Sequence, residues 1–380
     1  MKKWFVIGVL GLVLFEFANV YFIMPLPYSQ RVRSIDVAYA LYTWRWAIRA
    51  VLGISMLVGL RPVWRAGGWQ RALVPAGLLM AGGVVYATNF TMAADHIFLV
   101  PEHLMMAATT ANTVEKNRLV VGVNINGEAR AYPVQFIGYH HQVRDTVGGE
   151  PILVTFCTVC RTGRVFSPML DGQEERFRLV GMDHFNAMLE DQRTGSWWRQ
   201  ANGEAITGAR KGTTLREIPS RQVTLALWLE MYPASRIMQA DSVLRDRYPK
   251  NFDYETGQSR SALTGTDSVS WSDKAWVVGL AVNNQSKAYD WNQLRRERVI
   301  NDVVGGTPVV VLMASDDASY FAYVRPDTTT HFTMRGDSLI APNVAYGLSG
   351  RGASGSLAPV QASQEFWHSW RTFQPKTLRY

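Results

Sequence analysis

The chain has 380 residues, a formal net charge of +8 and only two cysteines. Its basic residues are scattered, and no run of Lys and Arg alternates with aromatic residues, so the composition argues against a nucleic-acid partner. Two cysteines are too few for a disulfide-stabilised scaffold. Apolar residues are concentrated in the first ninety or so positions, and the remainder has the Val, Gly, Thr, Trp and Tyr content of a β-rich protein.

Three apolar runs predict a membrane domain over residues 1–92. They cover about 4–24, 38–60 and 73–90. A run of about twenty apolar residues is long enough to cross a bilayer as a helix. No small-residue cleavage site follows the first run, so we expect an uncleaved span rather than a signal peptide. The bilayer is therefore the first predicted partner.

Charged residues beside the spans predict their orientation. One side of three spans carries most of the flanking basic residues, namely Lys2, Lys3, Arg61, Arg65 and Arg71. The positive-inside rule makes that side cytoplasmic. Arg31 and Arg33 lie on the other side but are outnumbered. We therefore expect everything after the third span to lie outside the cytoplasm, which in a bacterium with two membranes is the periplasm.

Three charges fall inside the predicted spans. Glu16 lies in the first span, and Arg45 and Arg49 lie at a similar depth in the second. A charge at membrane depth is costly and normally faces a partner. We predict an ion pair that locks the helical hairpin; the alternative is a proton or ion pathway.

The rest of the chain compares well with itself. The string that starts at Val120, "VVGVNINGEARAYPVQFIGYHHQVRDTVGGEPILV", aligns without a gap with the one that starts at Val277, "VVGLAVNNQSKAYDWNQLRRERVINDVVGGTPVVV". A repeat of this length predicts two copies of one domain. We call residues 93–245 the first half and residues 246–380 the second half. The predicted fold is three N-terminal transmembrane helices plus a β-rich (α+β) extracytoplasmic domain built from two duplicated copies.

Each half predicts the same local structure. An Asn-rich turn joins two strands into a hairpin, and a Gly-Gly turn then leads into a buried strand. "TLALWLEMYP" and "EFWHSWRTFQP" each predict a short amphipathic helix that stops before proline. Asp145 and Asp302 precede the Gly-Gly turns, and we expect both to be structural turn residues.

Several residues occur only in the first half. About fifteen extra residues fall near "DHFNAMLEDQRTGSWWRQ". Cys157 aligns with Ala314, Cys160 with Asp317 and His140 with Glu297. Two copies that share a fold need the same core, so residues confined to one copy are the better functional candidates.

The segment "ILVTFCTVCRTGRVF" predicts a Cys-x-x-Cys pair at a hairpin tip. Such knuckles hold metals through two thiolates, and His140, His184, Met182 or Asp183 would complete a copper or zinc site. Arg161 stands where a c-type haem site requires His, so no haem is expected, and no nucleotide motif is found. A reversible dithiol/disulfide and an inert structural clip remain as alternatives.

These segments and "DQRTGSWWRQANGEAITG" resemble a bacterial family known as domain of unknown function 3179. The positions that match its pattern are His140, Cys157, Cys160, Gly163, Thr194, Ser196, Trp198 and Gln200. His141 and Arg144 depart from it. The resemblance implies a secreted or membrane-anchored protein but no reaction. Around the cysteines it adds Trp198 and Gln200 to Arg161, Asp145 and Asp191 as expected supporting residues.

Three functions compete on this sequence. The first is a membrane-anchored extracytoplasmic protein whose Cys157, Cys160 and His140 bind copper or zinc or perform thiol–disulfide exchange, with His184 as a further ligand. Its partner would be an exported redox protein or a membrane protein complex. The second is a non-catalytic scaffold or interaction module in which the cysteines are a structural clip. The third is a hydrolase that uses His184 or Asp191, for which no nucleophile elbow is found.

Overall fold

The computed structural model describes residues 2–342, 344–353 and 355–380. Contacts divide the chain into two compact units. The first, here called the helical unit, comprises Met1–Leu99, Phe177–Arg199 and Ala205–Thr213. The second, the β unit, comprises Val100–Arg176, Gln200–Glu204 and Thr214–Tyr380.

The N-terminal region is helical. Its helices are α1 (Lys2–Tyr21), α2 (Ile35–Arg65), α3 (Gly68–Tyr86), which continues as a π-helix over Ala87–Thr91, and α4 (Ala94–Ile97). Three helices, over Lys2–Tyr21, Ile35–Arg65 and Gly68–Thr91, are long and apolar enough to cross a membrane. The three predicted spans are therefore confirmed as candidate membrane helices.

The first half of the chain is mainly strand. Its elements are β1 (Met106–Ala107), β2 (Leu119–Ile125), β3 (Glu128–Pro133), α5 (Val134–His140), β4 (Gln142–Val147), β5 (Glu150–Cys157), β6 (Thr162–Phe166), β7 (Met169–Leu170), β8 (Gln173–Glu174), β9 (Phe177–Asp183), β10 (Asn186–Asp191), β11 (Trp197–Arg199), β12 (Arg221–Thr224), α6 (Leu225–Met231) and β13 (Arg236–Met238). The larger sheets have the orders β1-β13-β3-β2-β12, β4-β5-β6 and β11-β10-β9. Asn126 and Gly127 have positive φ values of 52° and 84°, as the predicted hairpin turn requires.

The second half repeats much of this order. Its elements are α7 (Asp253–Thr256), β14 (Trp276–Val282), β15 (Gln285–Asp290), α8 (Trp291–Glu297), β16 (Val299–Val304), β17 (Thr307–Met313), β18 (Tyr320–Val324), β19 (Thr333–Arg335), β20 (Ser338–Ala341), β21 (Val344–Gly347), β22 (Arg351–Gly352), β23 (Gly355–Ser356), β24 (Ala362–Phe366), α9 (Trp367–Phe373) and β25 (Leu378–Arg379). Its sheets have the orders β24-β14-β15-β25, β16-β17-β18 and β19-β20-β21-β22-β23.

Each half contains an equivalent contact between a tryptophan ring and a strand glycine. The ring of Trp228 packs so closely on Gly122 that an added Cβ would lie 2.4 Å from it, and Trp370 packs on Gly279 in the same way, at 2.3 Å. Only glycine fits at these two strand positions, because any side chain would overlap the indole. One hydrophobic core contains side chains from both halves, including Val120 of β2 and Val310 of β17.

In the helical unit, the β9–β10–β11 sheet packs on the helices. Val180, Met188 and Trp197 share a core with Ile23 and Ala38. The backbone N–H of Met182 also donates to the carbonyl of Ile23 at 2.8 Å. This sheet includes the segment "DHFNAMLEDQRTGSWWRQ", which the alignment of the two half sequences leaves unmatched.

Candidate functional site

The cysteine pair lies at the tip of the β5–β6 hairpin, as predicted. Cys157 ends β5 and is the strand partner of Thr162. Residues 158–161 form the turn, and Arg161 adopts a positive φ of 57°. The turn holds both cysteines at one end of the sheet in the β unit.

Both sulfur-bearing side chains are fully buried, with no solvent-exposed surface. They are present as thiols and lie within hydrogen-bonding reach of each other. Burial raises the pKa of the Cys160 thiol well above its ordinary value of 9, and the hydrogen bond to Cys157 raises it further. A thiol in this state is a weak nucleophile, because the thiolate is the reactive form.

The second half covers the cysteine turn. The carbonyls of three turn residues accept hydrogen bonds from it: Thr158 from the Tyr254 hydroxyl at 2.9 Å, Cys160 from the backbone N–H of Phe366 at 2.9 Å, and Val159 from Nε2 of His368 at 3.2 Å. Every carbonyl of residues 158–160 is therefore bonded to the other half of the protein.

A buried polar group lies beside Cys160. Ser369 is hydrogen-bonded to the Cys160 thiol, and its hydroxyl donates to Oε2 of Glu365 at 2.9 Å. Oε1 of Glu365 accepts from Nη2 of Arg164 at 2.9 Å, and Arg164 also binds Glu217. Burial raises the pKa of Glu365, although Arg164, Ser369 and Thr162 act to lower it.

Two basic side chains complete this environment. Burial lowers the pKa of His368 to about 4, so the ring is neutral at pH 7 and can donate to Val159. Burial also lowers the pKa of Lys274, and the neighbouring Cys160 acts in the opposite direction. The half-buried ammonium of Lys274 and the buried carboxylate of Glu365 thus both interact electrostatically with Cys160.

Arg161 has no exposed surface and joins the two halves. Its Nε donates to Oε1 of Gln364 at 2.9 Å, and its Nη atoms donate to the carbonyls of Tyr254 and Glu255 at 2.7 and 2.9 Å. The guanidinium stacks on the ring of Trp276 at 3.8 Å. Arg161, which stands where a c-type haem site would require histidine, therefore fixes the turn in place.

His140 is buried at the C-terminal end of α5. Its Nε2 is 2.8 Å from the hydroxyl of Tyr248. The next residue, His141, has its Nδ1 2.8 Å from the carbonyl of Phe156, and burial lowers its pKa to about 4. The His141 ring thus bonds to β5, the strand that ends at Cys157, whereas the His140 ring bonds to Tyr248.

His184 belongs to the helical unit, at the turn between β9 and β10. Its Nδ1 is 2.7 Å from Oδ1 of Asp183, and Oδ2 of Asp183 accepts from Nε of Arg199 at 2.9 Å. Burial raises the pKa of Asp183, but its bonds to His184 and Arg199 outweigh that effect and leave the pKa lowered. The geometry is that of an ion-paired hairpin turn.

Of the other expected supporting residues, Gln200 lies beside the cysteine hairpin. Its amide donates to Oγ1 of Thr155 and to the carbonyl of Thr162, both at 2.9 Å. In the helical unit, Oδ2 of buried Asp191 accepts from the indole N–H of Trp198 at 2.8 Å. Asp191 and Trp198 thereby stabilise the turn before β11.

Asp145 lies within β4, and its carboxylate binds the guanidinium of Arg130 and the hydroxyl of Tyr132. Asp302 of the second half makes the corresponding bonds to Lys287 and Tyr289. The same cross-strand contact in both halves indicates a structural role.

Within the three candidate membrane helices, Glu16 is paired with Arg49. Two parallel bonds of 2.6 and 2.8 Å join the carboxylate to the guanidinium. Thr88 and Asn89 of the π-helix donate to the same carboxylate. Arg45 instead donates to the carbonyl of Tyr42 at 2.5 Å and stacks on that ring, so it takes no part in the Glu16 cluster.

Comparison of the two halves misses Glu365, His368 and Ser369. All three belong to the second half, whereas the candidates expected from the sequence are residues confined to the first. A signal was present, because the aligned first-half residues are Val223, Ala226 and Leu227, none of which is polar. The site therefore combines residues that are special to each half.

A metal site needs more ligands than the two sulfurs. Among the residues that the structure describes, which include Cys157, Cys160 and His140, no three His, Cys, Asp or Glu side chains form a group that could hold a metal ion. The two thiols lie within hydrogen-bonding reach of each other, so the pair is placed to oxidise to a disulfide.

Comparison with known proteins gives a family and no activity. No curated protein and no solved structure matches the chain. The family described as protein of unknown function (DUF3179) matches residues 100–377. This range includes the cysteine hairpin, its second-half partners and all strands of the β unit except β25. The chain therefore belongs to the DUF3179 family.

Proposed function

We propose that this protein is a non-catalytic, membrane-anchored scaffold or interaction module, and that Cys157 and Cys160 form a structural clip within the turn to which the second half is bonded. The observation that carries the proposal is the bonding of the cysteine turn. Each carbonyl of residues 158–160 accepts a hydrogen bond from the second half, and Arg161 adds three more bonds to it.

Burial supports a structural rather than a catalytic role for the thiols. A redox enzyme needs a partly exposed thiolate of lowered pKa, as at a helix N-terminus. Here both cysteines are fully buried at a hairpin tip, and the pKa of Cys160 is raised. A partner protein therefore has no path to either sulfur in the folded state.

We propose the bacterial cytoplasmic membrane as the location, with the β unit on its outer face. The basic residues Lys2, Lys3, Arg61, Arg65 and Arg71 support this orientation. Outside the cytoplasm the pair is expected to be a disulfide. Its formation releases two protons and two electrons; an exported thiol-oxidising protein accepts the electrons when its own disulfide becomes a dithiol. Because the folded thiols are buried, this exchange takes place before folding is complete.

A duplication would explain why the clip is needed. The similar order of elements and the matching Trp–Gly contacts support an origin of the β unit from two copies of one domain. Each copy then has to be fixed to the other at sites that a single copy lacked. The Cys-x-x-Cys turn and its partners Glu365, His368 and Ser369 form one such site.

Maleimide labelling of the full-length protein in detergent tests the proposal. We expect no labelling of the folded protein, none after unfolding without reductant, and two labels after unfolding with reductant. A variant with Cys157→Ala, Cys160→Ala and Gln173→Cys is the positive control, because Gln173 is exposed in β8 and its replacement should label in the folded state.

Two results would reject the clip. Labelling of a cysteine in the folded wild type would indicate an accessible redox thiol. Two labels after unfolding without reductant, together with stoichiometric copper or zinc in the purified protein, would restore the metal-binding hypothesis.

A further inference from the structure

A cleft of about 770 Å³ opens in the β unit between the two halves. Thr224 and Leu119 line it from the first half, and Phe252, Trp276 and Trp291 line it from the second. Small-molecule sites occupy volumes of about 300–1,000 Å³ and occur preferentially where two domains meet. The cleft is thus of the right size and in the right place to hold a small ligand.

One wall of the cleft is aromatic. The rings of Trp276 and Trp291 pack edge to face, with their centroids 5.4 Å apart. Arg161 covers one face of Trp276, which holds the indole in a fixed orientation. Trp276 remains only partly buried. A rigid, partly exposed indole offers a flat apolar surface to a ligand.

The charges around the cleft compensate one another. Of the described residues that line it, three are basic and three are acidic: Lys116, Arg161, Arg295, Glu255, Asp316 and Asp317. Glu255 is paired with Arg118 at 2.7 Å, and Asp317 with Arg295 at 3.2 Å. A charged ligand would have to compete with these pairs and lose its own hydration. The cleft therefore favours a neutral polar ligand.

Amide groups stand at the rim. Asn117 and Gln258 line the cleft, and both residues are exposed. An amide side chain offers both donors and an acceptor, which matches hydroxyl groups on a ligand. The cleft therefore combines an apolar platform with hydrogen-bonding groups of both kinds.

We propose that this cleft binds a neutral saccharide. An uncharged sugar ring has an apolar face of C–H groups that can stack on Trp276, and its hydroxyls can bond to Asn117 and Gln258. This is a binding activity in addition to the proposed scaffold role.

Calorimetric titration of the full-length protein tests this proposal. A detergent without a sugar head group is required, because a maltoside would itself occupy the site. The probes are maltotriose and the trimer of N-acetylglucosamine, with trigalacturonate as the charged counterpart. We expect saturable binding of at least one neutral trisaccharide and weaker binding of trigalacturonate.

Variants locate the site. The double variant Asn117→Ala/Gln258→Ala should weaken binding of the neutral trisaccharide about tenfold or more, because hydrogen bonds to the ligand are lost. Gln173→Ala, an exposed glutamine outside the cleft, should leave the affinity unchanged. Trp276→Ala should abolish binding, with the fold checked by circular dichroism.

The rim residues are exposed, so the double variant remains a valid test even if Trp276→Ala fails to fold. The proposal is overturned if neither neutral trisaccharide binds the wild type, if trigalacturonate binds more tightly than both, or if the double variant retains wild-type affinity.

Discussion

At the scale of single residues, the surroundings of the cysteines are set by side chains about two hundred positions along the chain. Ser369 bonds to the Cys160 thiol, and Glu365 connects that serine to Arg164. Loss of any one member would leave a buried polar group without its partner, which costs free energy of unfolding. The cysteine turn and its second-half cover should therefore form or break as one unit.

His368 should make stability depend on pH. Because its pKa is lowered to about 4 from 6.5, the unfolded chain binds a proton between these pH values that the folded chain does not. The free energy of unfolding therefore falls as the pH drops through this range, by up to about 3 kcal/mol for one group. We expect His368→Gln, which keeps a side-chain N–H for Val159, to lose less stability over the same range in urea titrations.

His141, Glu255 and Glu365 also have shifted pKa values. They are present in both proteins, so their effects cancel in the comparison. Parallel stability curves for wild type and His368→Gln would contradict the assignment of a buried, neutral His368.

Arg49 and Arg45 provide a matched test in the membrane helices. Arg49→Gln leaves the fully buried Glu16 without its ionic partner, and breaking such a pair costs about 3–5 kcal/mol. Arg45→Gln removes only contacts within α2 to Tyr42 and should have a much smaller effect. Thermal unfolding in detergent measures both; equal shifts in Tm for the two variants would contradict the pairing.

At the scale of elements, the β9–β10–β11 sheet is a feature of the helical unit. Tyr42 of α2 is hydrogen-bonded to Glu190 of β10 at 3.2 Å and to Arg178 of β9 at 2.5 Å, and Arg178 also pairs with Asp95 of α4. Because α2 has 31 residues, it is about 46 Å long, whereas a bilayer core needs only about 20 residues. The N-terminal part of α2 is thus available to pack on this sheet.

Gly181 tests that packing. A Cβ at Gly181 would lie 2.3 Å from the carbonyl oxygen of Ile23, so the backbone of one segment would have to move. We expect Gly181→Ala to destabilise the helical unit by about 1–3 kcal/mol. Gly82→Ala in α3 is the control, because its Cβ meets nothing within 4 Å. Hydrogen exchange of β9 and β10 measures the effect; equal protection in both variants would contradict the docking.

Local sequence patterns predict local structure here. The apolar runs locate the three helices, the Asn-Gly pair locates the β2–β3 turn, and the spacing of Cys157 and Cys160 locates the hairpin tip. The sequence does not reveal which residues meet Cys160, because Glu365 and Ser369 approach it through the packing of two distant halves. Sequence also offers no signal that residues 177–199 pack on the helices rather than on the strands that flank them.

For the molecule as a whole, a disulfide clip requires the β unit to lie outside the cytoplasm, since such a bond persists only in an oxidising compartment. The arrangement of basic residues around three spans predicts this orientation. An alkaline phosphatase fused after Tyr380 should therefore be active in a bacterial host. Activity of a cytoplasmic reporter at the same position would place the β unit inside.

The central claim is that the Cys157–Cys160 pair stabilises the β unit as a disulfide. Closing a loop of four residues should contribute roughly 2 kcal/mol to the free energy of unfolding by the chain-entropy estimate. The direct measurement is urea unfolding of the full-length protein with and without reductant, beside the Cys157→Ala/Cys160→Ala variant. Reductant should lower the stability of the wild type by about this amount and leave the variant unchanged. A wild type that is insensitive to reductant but loses stability on addition of a chelator would contradict the clip and indicate a metal.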